Sequence, residues 1–492
     1  MNKYLLLLAT SFSIQFSQAQ NTSDALRYAQ DNLNGTARFR GMSGAFGALG
    51  GDFSALSVNP AGGAVFLNNQ ATVTLSNFST KNKSDYFGTK SEEKENSFDL
   101  NQIGAIWVFD SRDETSNWKK FTLAVNYDNA NNFDDKFYSN GINPTNSISQ
   151  YFLSYANGPR FNNTFENDQV FIGTTGNIIA TNPEANGSPY ISSVPAGGNY
   201  YQENSVTSRG YNGKMSFNFA TQYKDRFYFG VNLNAHFTDY ATKSSFYEDY
   251  LDTPGSSNDA GLQALRFNNE LYTYGSGFSF QLGAIAKVTD NLRLGASYQS
   301  PTWYQLQDET YQIMVVDCAD CGFSGGQNVI EPSTFNLIYD TYRLQTPGKY
   351  TGSLAYVFGN VGLISIDYSM KDYSNTKFRP NDSFFSSRNQ EMESLLGTTS
   401  EIRVGAEARA RQWSFRGGYR FEQSPYENGN VIGDLHGFSG GLGYNFGKTR
   451  LDAAYSYAQR DTQRTFFSQG LVDAADIKTV FNNVSLTLVF DL

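Results

Sequence analysis

Apolar and polar residues alternate along most of the chain after residue 70. From Phe227 to Phe237 every second residue is apolar, and the residues between them include Asn232, Asn234 and His236. Successive side chains point to opposite faces of a β-strand, so this period of two predicts strands with one apolar and one polar face. The pattern recurs at 402–408, 438–446 and 484–492.

The alternation and the turn signals between its segments predict fourteen strands. We place them near 70–80, 97–110, 119–129, 211–223, 226–240, 272–288, 291–316, 333–359, 361–373, 400–410, 412–423, 435–447, 449–460 and 478–491. Every second connection is tight, as at Lys224-Asp225, Asn360, Arg411 and Lys448, whereas 130–210, 241–271 and 374–399 are long. Short turns at one end and long loops at the other are typical of an outer-membrane β-barrel.

Composition agrees with a wall that has two different faces. The chain has 492 residues, of which only 39% are apolar, but it contains 40 Phe, 32 Tyr and 45 Gly. Aromatic girdles account for the Phe and Tyr, and a wet interior with large loops accounts for the mean hydropathy of −0.46.

After residue 20 no stretch approaches the ~20 apolar residues that a membrane-spanning helix needs. The net charge of −10 argues against nucleic acid as a partner.

Two strands are too long for the ~9 to 11 residues that cross a membrane, so we expect 291–316 and 333–359 to project outward. Pro301 and Pro347 interrupt these strands and are expected to kink them.

The first 19 residues have the order of a secretory signal peptide. Lys3 precedes an apolar run from Tyr4 to Ala9, and Ser17-Gln18-Ala19 gives the small-x-small pattern of a cleavage site. We therefore expect export and assign 1–19 to the signal peptide, 20–69 to an N-terminal plug and 70–492 to the barrel. The alternative for the first segment is a buried helix.

Residues 20–69 do not alternate and are rich in Gly and Ala. A compact segment before a closed barrel buries its apolar side chains best inside the barrel, so we predict a plug whose apolar residues line a pocket: Phe39, Met42, Phe46, Phe53 and Leu56. Asn59-Pro60-Ala61 lies at the junction with the first strand and is the predicted plug anchor. The alternative for this triplet is an ordinary turn, because Asn-Pro favours turn initiation.

The run from Gly41 to Phe66, ending in Asn59-Pro60-Ala61 before fourteen strands, resembles the hatch of the FadL/TodX-type outer-membrane transport proteins. The resemblance implies a fourteen-stranded antiparallel barrel that takes up hydrophobic molecules such as long-chain fatty acids or aromatic hydrocarbons. It further implies an apolar catching surface on the loops, an internal pocket and a lateral exit into membrane lipid when the hatch shifts. A monomer in the outer membrane of a Gram-negative cell is expected.

Charged residues alternate with apolar ones on two late strands. Arg403, Arg409, Arg416 and Arg420 are placed on the lumen face, with Glu407 and Glu422 between them. They can form ion pairs that brace the barrel or hold the plug, or an arginine can bind a fatty-acid carboxylate.

Few other residues in the sequence predict a specific chemical role. Cys318 and Cys321 predict a local disulfide, with redox chemistry or half a zinc site as alternatives. No catalytic constellation, metal site or cofactor site is predicted, and the chain is not expected to be an enzyme. His236 is expected to face the lumen.

Two other functions stay open. Relatives of FadL also serve as partners in outer-membrane protein secretion, and the 130–210 loop could dock such a protein. Haem uptake is the third alternative, although His236 and His436 lie in no evident haem-ligand motif. An apolar pocket that opens near 119–129 favours transport, whereas a polar lumen without such an opening favours the assembly role.

Overall fold

The fold is a closed antiparallel β-barrel of fourteen strands with a helical N-terminal segment inside it. The computed structural model describes residues 20–158, 164–183, 189–254, 256, 261–321, 327–332 and 336–492. The predicted signal peptide lies outside these residues. Among the residues described, no helix combines the length and the apolar composition needed to cross a bilayer.

The predicted strands are all present, and several are subdivided. The strands are β1 Gln70–Tyr86, β2 Thr89–Asp110, β3 Trp118–Asn132, β4 Asp135–Asn143, β5 Ile179–Thr181, β6 Tyr190–Ser192, β7 Tyr200–Tyr223, β8 Phe227–Asp249, β9 Gly261–Lys287, β10 Leu292–Gln299, β11 Trp303–Ala319, β12 Gln327–Ile330, β13 Asn336–Ile338, β14 Tyr342–Gln345, β15 Lys349–Val357, β16 Gly362–Asp372, β17 Lys377–Arg379, β18 Thr398–Ala410, β19 Trp413–Glu422, β20 Ile432–Asn445, β21 Thr449–Thr465 and β22 Ala474–Asp491.

The ring closes where β1 pairs with β22, from Gln70↔Asp491 to Asp85↔Asp476. β3 with β4, β10 with β11, β12 through β15, and β16 with β17 each act as one wall strand, and β5 pairs with β6 in a separate hairpin. The two predicted proline breaks are present, because β10 ends before Pro301 and β14 ends before Pro347. We call the end with the tight turns the turn side and the opposite end the loop side.

The period-two pattern is the inside–outside pattern of the wall. Phe227, Phe229, Val231 and Leu233 on β8 are exposed on the outer surface, whereas Asn232 and Asn234 between them are buried. Tyr and Trp side chains such as Tyr274, Trp303 and Tyr350 are also exposed on the outer surface. An apolar outer band with aromatic residues is the surface that a lipid bilayer solvates.

The loop side is more ordered than the sequence indicates. The 241–271 connection is mostly strand, because β8 continues to Asp249 and β9 begins at Gly261. The 374–399 connection contains β17 and helix α5 (Ser383–Leu395), and 130–210 contains β4, α3 (Ser149–Asn157), α4 (Thr164–Thr175) and the β5–β6 hairpin. Above the membrane a strand no longer needs one apolar face, so the period-two signal fades while the backbone pairing continues.

The N-terminal segment lies within the barrel as short helices. They are α1 (Thr22–Ala29), α2 (Ala37–Gly41) and 3₁₀ turns at Ser54–Ser57 and Pro60–Val65. Helix α1 packs at the loop side against residues of β11, β14 and α5, including Tyr304, Leu344 and Phe385. Helix α2 and the 3₁₀ turns fill the region towards the turn side, as expected for a plug.

Candidate functional site

Asn59-Pro60-Ala61 is held by wall strands on several sides. The Asn59 Nδ2 amide donates to the carbonyl oxygens of Gly47 at 2.7 Å, Ala284 on β9 at 3.0 Å and Ala296 on β10 at 3.4 Å, and its Oδ1 accepts from Ala61 N at 3.1 Å. On β7, Asn218 Nδ2 donates to the Pro60 carbonyl oxygen at 2.9 Å. The triplet begins a 3₁₀ turn, with Asn59 as its N-cap.

Glycines in the wall make room for this junction. A methyl group on Gly230 of β8 would lie 2.3 Å from the Pro60 carbonyl, and one on Gly283 of β9 would lie 2.0 Å from Asn59 Oδ1. Glycine weakens a strand interior and often marks the close approach of another backbone. The plug and the wall are therefore in direct backbone contact here.

The five predicted apolar plug residues are all buried, but in two separate clusters. Phe39, Met42 and Phe46 pack with Ala355 and Leu363 of the wall. Phe53 and Leu56 pack with Phe66 and with Ile106 and Ala124 of β2 and β3. Of the five, only Phe39 borders the described cavity in the lumen.

A network of buried charges ties α2 to the late strands. Glu407 on β18 accepts from Arg38 Nε at 2.9 Å and from Arg416 Nε at 2.7 Å, and Arg416 Nη1 reaches Asp452 of β21 at 2.7 Å. The side chains of Glu407, Arg416 and Asp452 are at most 1% exposed. Arg409, at the turn side, also pairs with Glu407. The plug is thereby held by charge as well as by packing.

The lumen contains a polar cavity of 110 Å³ between the plug and the wall. Its lining includes Tyr28, Asn34 and Ser57 of the plug, Asn212 and His236 of β7 and β8, Tyr304 of β11 and, from β3, Asp128, Ala130 and Asn131. His236 Nε2 lies 2.8 Å from Ser279 Oγ, and Tyr304 OH lies 3.4 Å from its Nδ1. His236 thus faces the lumen as predicted, in hydrogen bonds with neighbouring side chains.

Asp31 joins two strands across this cavity. Its carboxylate lies 2.9 Å from Lys349 Nζ on β15 and 3.3 Å from Lys371 Nζ on β16. Enclosure in the barrel acts to raise the pKa of Asp31, but the two ammonium groups outweigh it and hold that pKa well below its usual range. Asp31 is therefore an anion that compensates two lumen lysines.

The other lumen arginines are also paired. Arg403 contacts Glu401 on the same strand, and Glu401 lies 3.6 Å from Lys349. Arg420 lies 3.0 Å from Glu422, which Arg460 also approaches at 3.2 Å. Each of the four predicted arginines thus has a carboxylate neighbour.

The backbone ladder between β2 and β3 stops partway up the wall. It runs from Asp110↔Lys120 at the turn side to Gln102↔Asp128. In the described chain, which includes all of 89–101 and 129–143, no ladder joins Thr89–Asn101 to β3 or β4. β4 pairs instead with β7. We call this unpaired boundary the β2–β3 seam.

Side chains bridge the seam where the backbone does not. Asn132 Nδ2 contacts the Asp99 carboxylate and donates to Ser97 Oγ at 3.0 Å, and Lys136 pairs with Glu93 at 2.9 Å. Phe98 is 68% exposed just above the point where the ladder ends, so the seam begins within the apolar outer band. Asp128, Ala130 and Asn131 border both the seam and the cavity, which makes the two neighbours.

The loop-side residues form a folded cap with its own core. Tyr151, Phe152, Leu262, Leu265 and Phe267 belong to one buried cluster with Cys318, whereas Leu251 is exposed. The Cys318 and Cys321 sulfur atoms are bonded to each other, with Cα atoms 5.7 Å apart. His436 lies on the outer surface, where its Nδ1 is 3.0 Å from Tyr419 OH.

A larger groove of 780 Å³ lies outside the lumen. It borders the loop-side ends of β1, β2, β21 and β22 and carries charges of both signs, including Lys83, Glu92, Asp461 and Lys478. The groove lies on the outer surface and is lined by charges of both signs, so it is distinct from the plug and the lumen cavity.

Sequence reasoning missed Asp31, Lys349 and Lys371. Lys349 and Lys371 occupy inward positions of the alternating pattern beside outward Tyr350 and Met370, so a lysine at an inward position was an available signal. Asp31 lies in a segment without periodicity, and nothing in the sequence indicated its partners.

A plugged barrel with an apolar outer band that carries aromatic side chains is the architecture of an outer-membrane protein. Residues 193–478 match the family described as outer membrane protein transport protein (OMPP1/FadL/TodX). This chain belongs to that family.

Solved structures show the same fold at low sequence identity. A Pseudomonas aeruginosa FadL homologue is 13% identical, with 94% of this chain and 99% of that chain covered and a TM-score of 0.58. The Pseudomonas putida toluene transporter TodX is 14% identical, with 94% and 100% covered and a TM-score of 0.52. The Ralstonia pickettii toluene transporter TbuX is 15% identical, with 94% and 99% covered and a TM-score of 0.50. No curated protein sequence matches this chain.

Proposed function

We propose that this protein lets hydrophobic molecules cross the outer membrane passively and releases them sideways into the lipid through the β2–β3 seam. The observation that carries the proposal is the end of the β2–β3 ladder at Gln102↔Asp128, within the apolar outer band and beside the lumen cavity. A lateral exit lets an apolar solute pass from the lumen to lipid without entering water, where its apolar surface is unfavourable.

The plug segment 30–34 is the part that must move for this route to open. A cavity of 110 Å³ is smaller than the ~300 to 1,000 Å³ of typical ligand sites. Segment 30–34 is bordered by this cavity and by two smaller ones of 30 and 20 Å³. Asn34 Nδ2 donates to the Asn129 carbonyl at 2.6 Å, and Asn131 Nδ2 donates to the Gln30 carbonyl at 3.2 Å. Displacing the segment frees the β3 edge next to the seam.

The chemistry of the cavity favours a substrate with an acidic head group, such as a long-chain fatty acid. Lys349, Lys371 and Lys214 border the cavity. Asp31 now pairs with Lys349 and Lys371, and an incoming carboxylate can replace Asp31 in these ion pairs. An unsubstituted aromatic hydrocarbon makes no such pair and desolvates polar groups on entry. The proposed substrate class is therefore the fatty acid, with the hydrocarbon as the competing outcome.

Uptake by cells that lack their own fatty-acid transporter tests this function. Cells that produce the protein are expected to take up a radiolabelled long-chain fatty acid several-fold faster than cells with an empty vector, and faster than they take up an alkylbenzene. Lys371→Gln is expected to lower fatty-acid uptake several-fold and to leave alkylbenzene uptake unchanged. Lys243→Gln, which removes an exposed lysine, is the matched control.

Each result decides between the candidates. Alkylbenzene uptake without fatty-acid uptake replaces the fatty acid with the hydrocarbon as substrate. Uptake of neither compound contradicts transport and favours the second candidate, a partner in protein secretion. The polar lining of the lumen and the folded loop-side cap are the observations that favour that candidate.

A further inference from the structure

Arg40 of the plug is a buried cation without a counter-charge. The residue is 1% exposed, and no described carboxylate lies within 4.0 Å of its guanidinium group. It donates to Ser456 Oγ at 2.9 Å and faces the Phe78 ring at 5.4 Å. The neighbouring α2 arginine, Arg38, pairs with Glu407. Of the two arginines in α2, Arg40 is therefore the one without a carboxylate partner.

A second arginine shares the space beside Arg40. Arg420 of β19 is 5% exposed, and its Nε finds no hydrogen-bond acceptor among the described residues. Burial, together with the nearby charge of Arg420, lowers the pKa of Arg40 to about 9, which leaves the group charged at neutral pH. Glu422 lies 3.0 Å from Arg420 and compensates its charge, but Arg40 has no such partner, and a buried cation without a counter-charge is unfavourable unless an anion binds beside it.

The two arginines border a cavity that fits one small ion. Its volume is 20 Å³, and a cavity needs about 10–15 Å³ to hold one water molecule. The other polar side chains around it are hydroxyls and amides, from residues that include Ser43, Ser456 and Asn483, and no described carboxylate lines it. In the amide orientation that satisfies its neighbours, the Asn483 side-chain oxygen accepts from Arg40 at 3.0 Å.

We infer that this cavity is a halide site, in which a chloride ion bound between Arg40 and Arg420 ties the plug to strands β19–β22. The cavity has no room for the chain of a fatty acid, so this site is distinct from the cavity proposed to take the substrate. A bound chloride stabilises the folded barrel because the ion binds the folded state and not the unfolded chain.

Thermal unfolding of the purified full-length protein tests the site. At equal ionic strength and pH, the melting temperature is expected to rise and level off with sodium chloride or bromide, but not with sodium gluconate, whose anion is too large for the cavity. Arg40→Gln is expected to abolish the difference between chloride and gluconate. Arg266→Gln, which removes an exposed arginine on β9, is expected to keep it.

Bromide anomalous diffraction from wild-type crystals gives a test that does not depend on whether Arg40→Gln folds. The expected result is a bromide peak between the Arg40 and Arg420 guanidinium groups. Equal melting temperatures of the wild type in chloride and gluconate, or the absence of a peak in this cavity, overturns the inference.

Discussion

Replacing Glu407 with glutamine is expected to lower the free energy of unfolding by about 3–5 kcal/mol, the cost of removing one partner from a buried ion pair. Glu407 is the shared acceptor of Arg38 and Arg416, so the substitution leaves two enclosed cations undercompensated. Chemical unfolding of the barrel in lipid vesicles measures the change. Glu270→Gln is the control, because its exposed pair with Lys243 is expected to contribute at most about 1 kcal/mol.

A double-mutant cycle separates the plug contact from the rest of this network. Arg38→Gln combined with Glu407→Gln is expected to cost about 1–3 kcal/mol less than the sum of the two single changes, because the pair is lost only once. A loss for Glu407→Gln as small as that for Glu270→Gln contradicts the role of Glu407 as the charge that holds α2.

Gly230→Ala is expected to destabilise the barrel by about 1–3 kcal/mol, the usual cost of overpacking a closely fitted interior. The added methyl group meets the Pro60 carbonyl at 2.3 Å and the Ala61 nitrogen at 2.5 Å, and both contacts are with backbone that cannot rotate away. The plug junction must therefore shift from β8. The temperature at which the folded barrel loses its fast migration in a gel, together with chemical unfolding, measures the effect.

Gly352→Ala is the matched control for this change. Gly352 also lies within a strand, but nothing described stands within 4 Å of a methyl group placed there. We expect this variant to keep wild-type stability. Equal stability of the Gly230 and Gly352 variants is incompatible with the close contact between the wall and Asn59-Pro60-Ala61.

The barrel could be predicted because the alternation of apolar and polar residues is visible within each strand. Strand β8 is indicated by Phe227, Phe229 and Val231 on one face and Asn232 and Asn234 on the other, and the turn at Lys224-Asp225 fixes where it begins. The extension of β8 to Asp249 could not be predicted, because beyond the lipid both faces contact water or loops and the alternation is lost.

The site was less predictable because its contacts join distant parts of the chain. Sequence spacing placed Arg416 on the lumen face, but its partner Asp452 follows from the pairing of β19, β20 and β21. Gly230 and Gly283 could have indicated the plug junction, since glycine in a strand interior often marks the close approach of another backbone. The end of the β2–β3 ladder depends on how two strands pair, so it could not be predicted from the residues of either strand alone.

Linking the two sides of the β2–β3 seam tests the lateral exit most directly. Asp99→Cys and Asn132→Cys, in a background with Cys318→Ser and Cys321→Ser, place two thiols where side chains already meet across the seam. A short, membrane-permeable reagent that joins two thiols then closes it. Ala105→Cys with Val125→Cys links the same two wall strands within the ladder and serves as the control.

Uptake of the transported compound is measured before and after cross-linking in both variants. The lateral route predicts at least a roughly tenfold loss of uptake when the two seam thiols are joined, because that link blocks the only proposed exit into lipid. Little change is expected when the ladder pair is joined, since the wall is already closed there. Unchanged uptake after the seam variant is fully cross-linked would contradict the account.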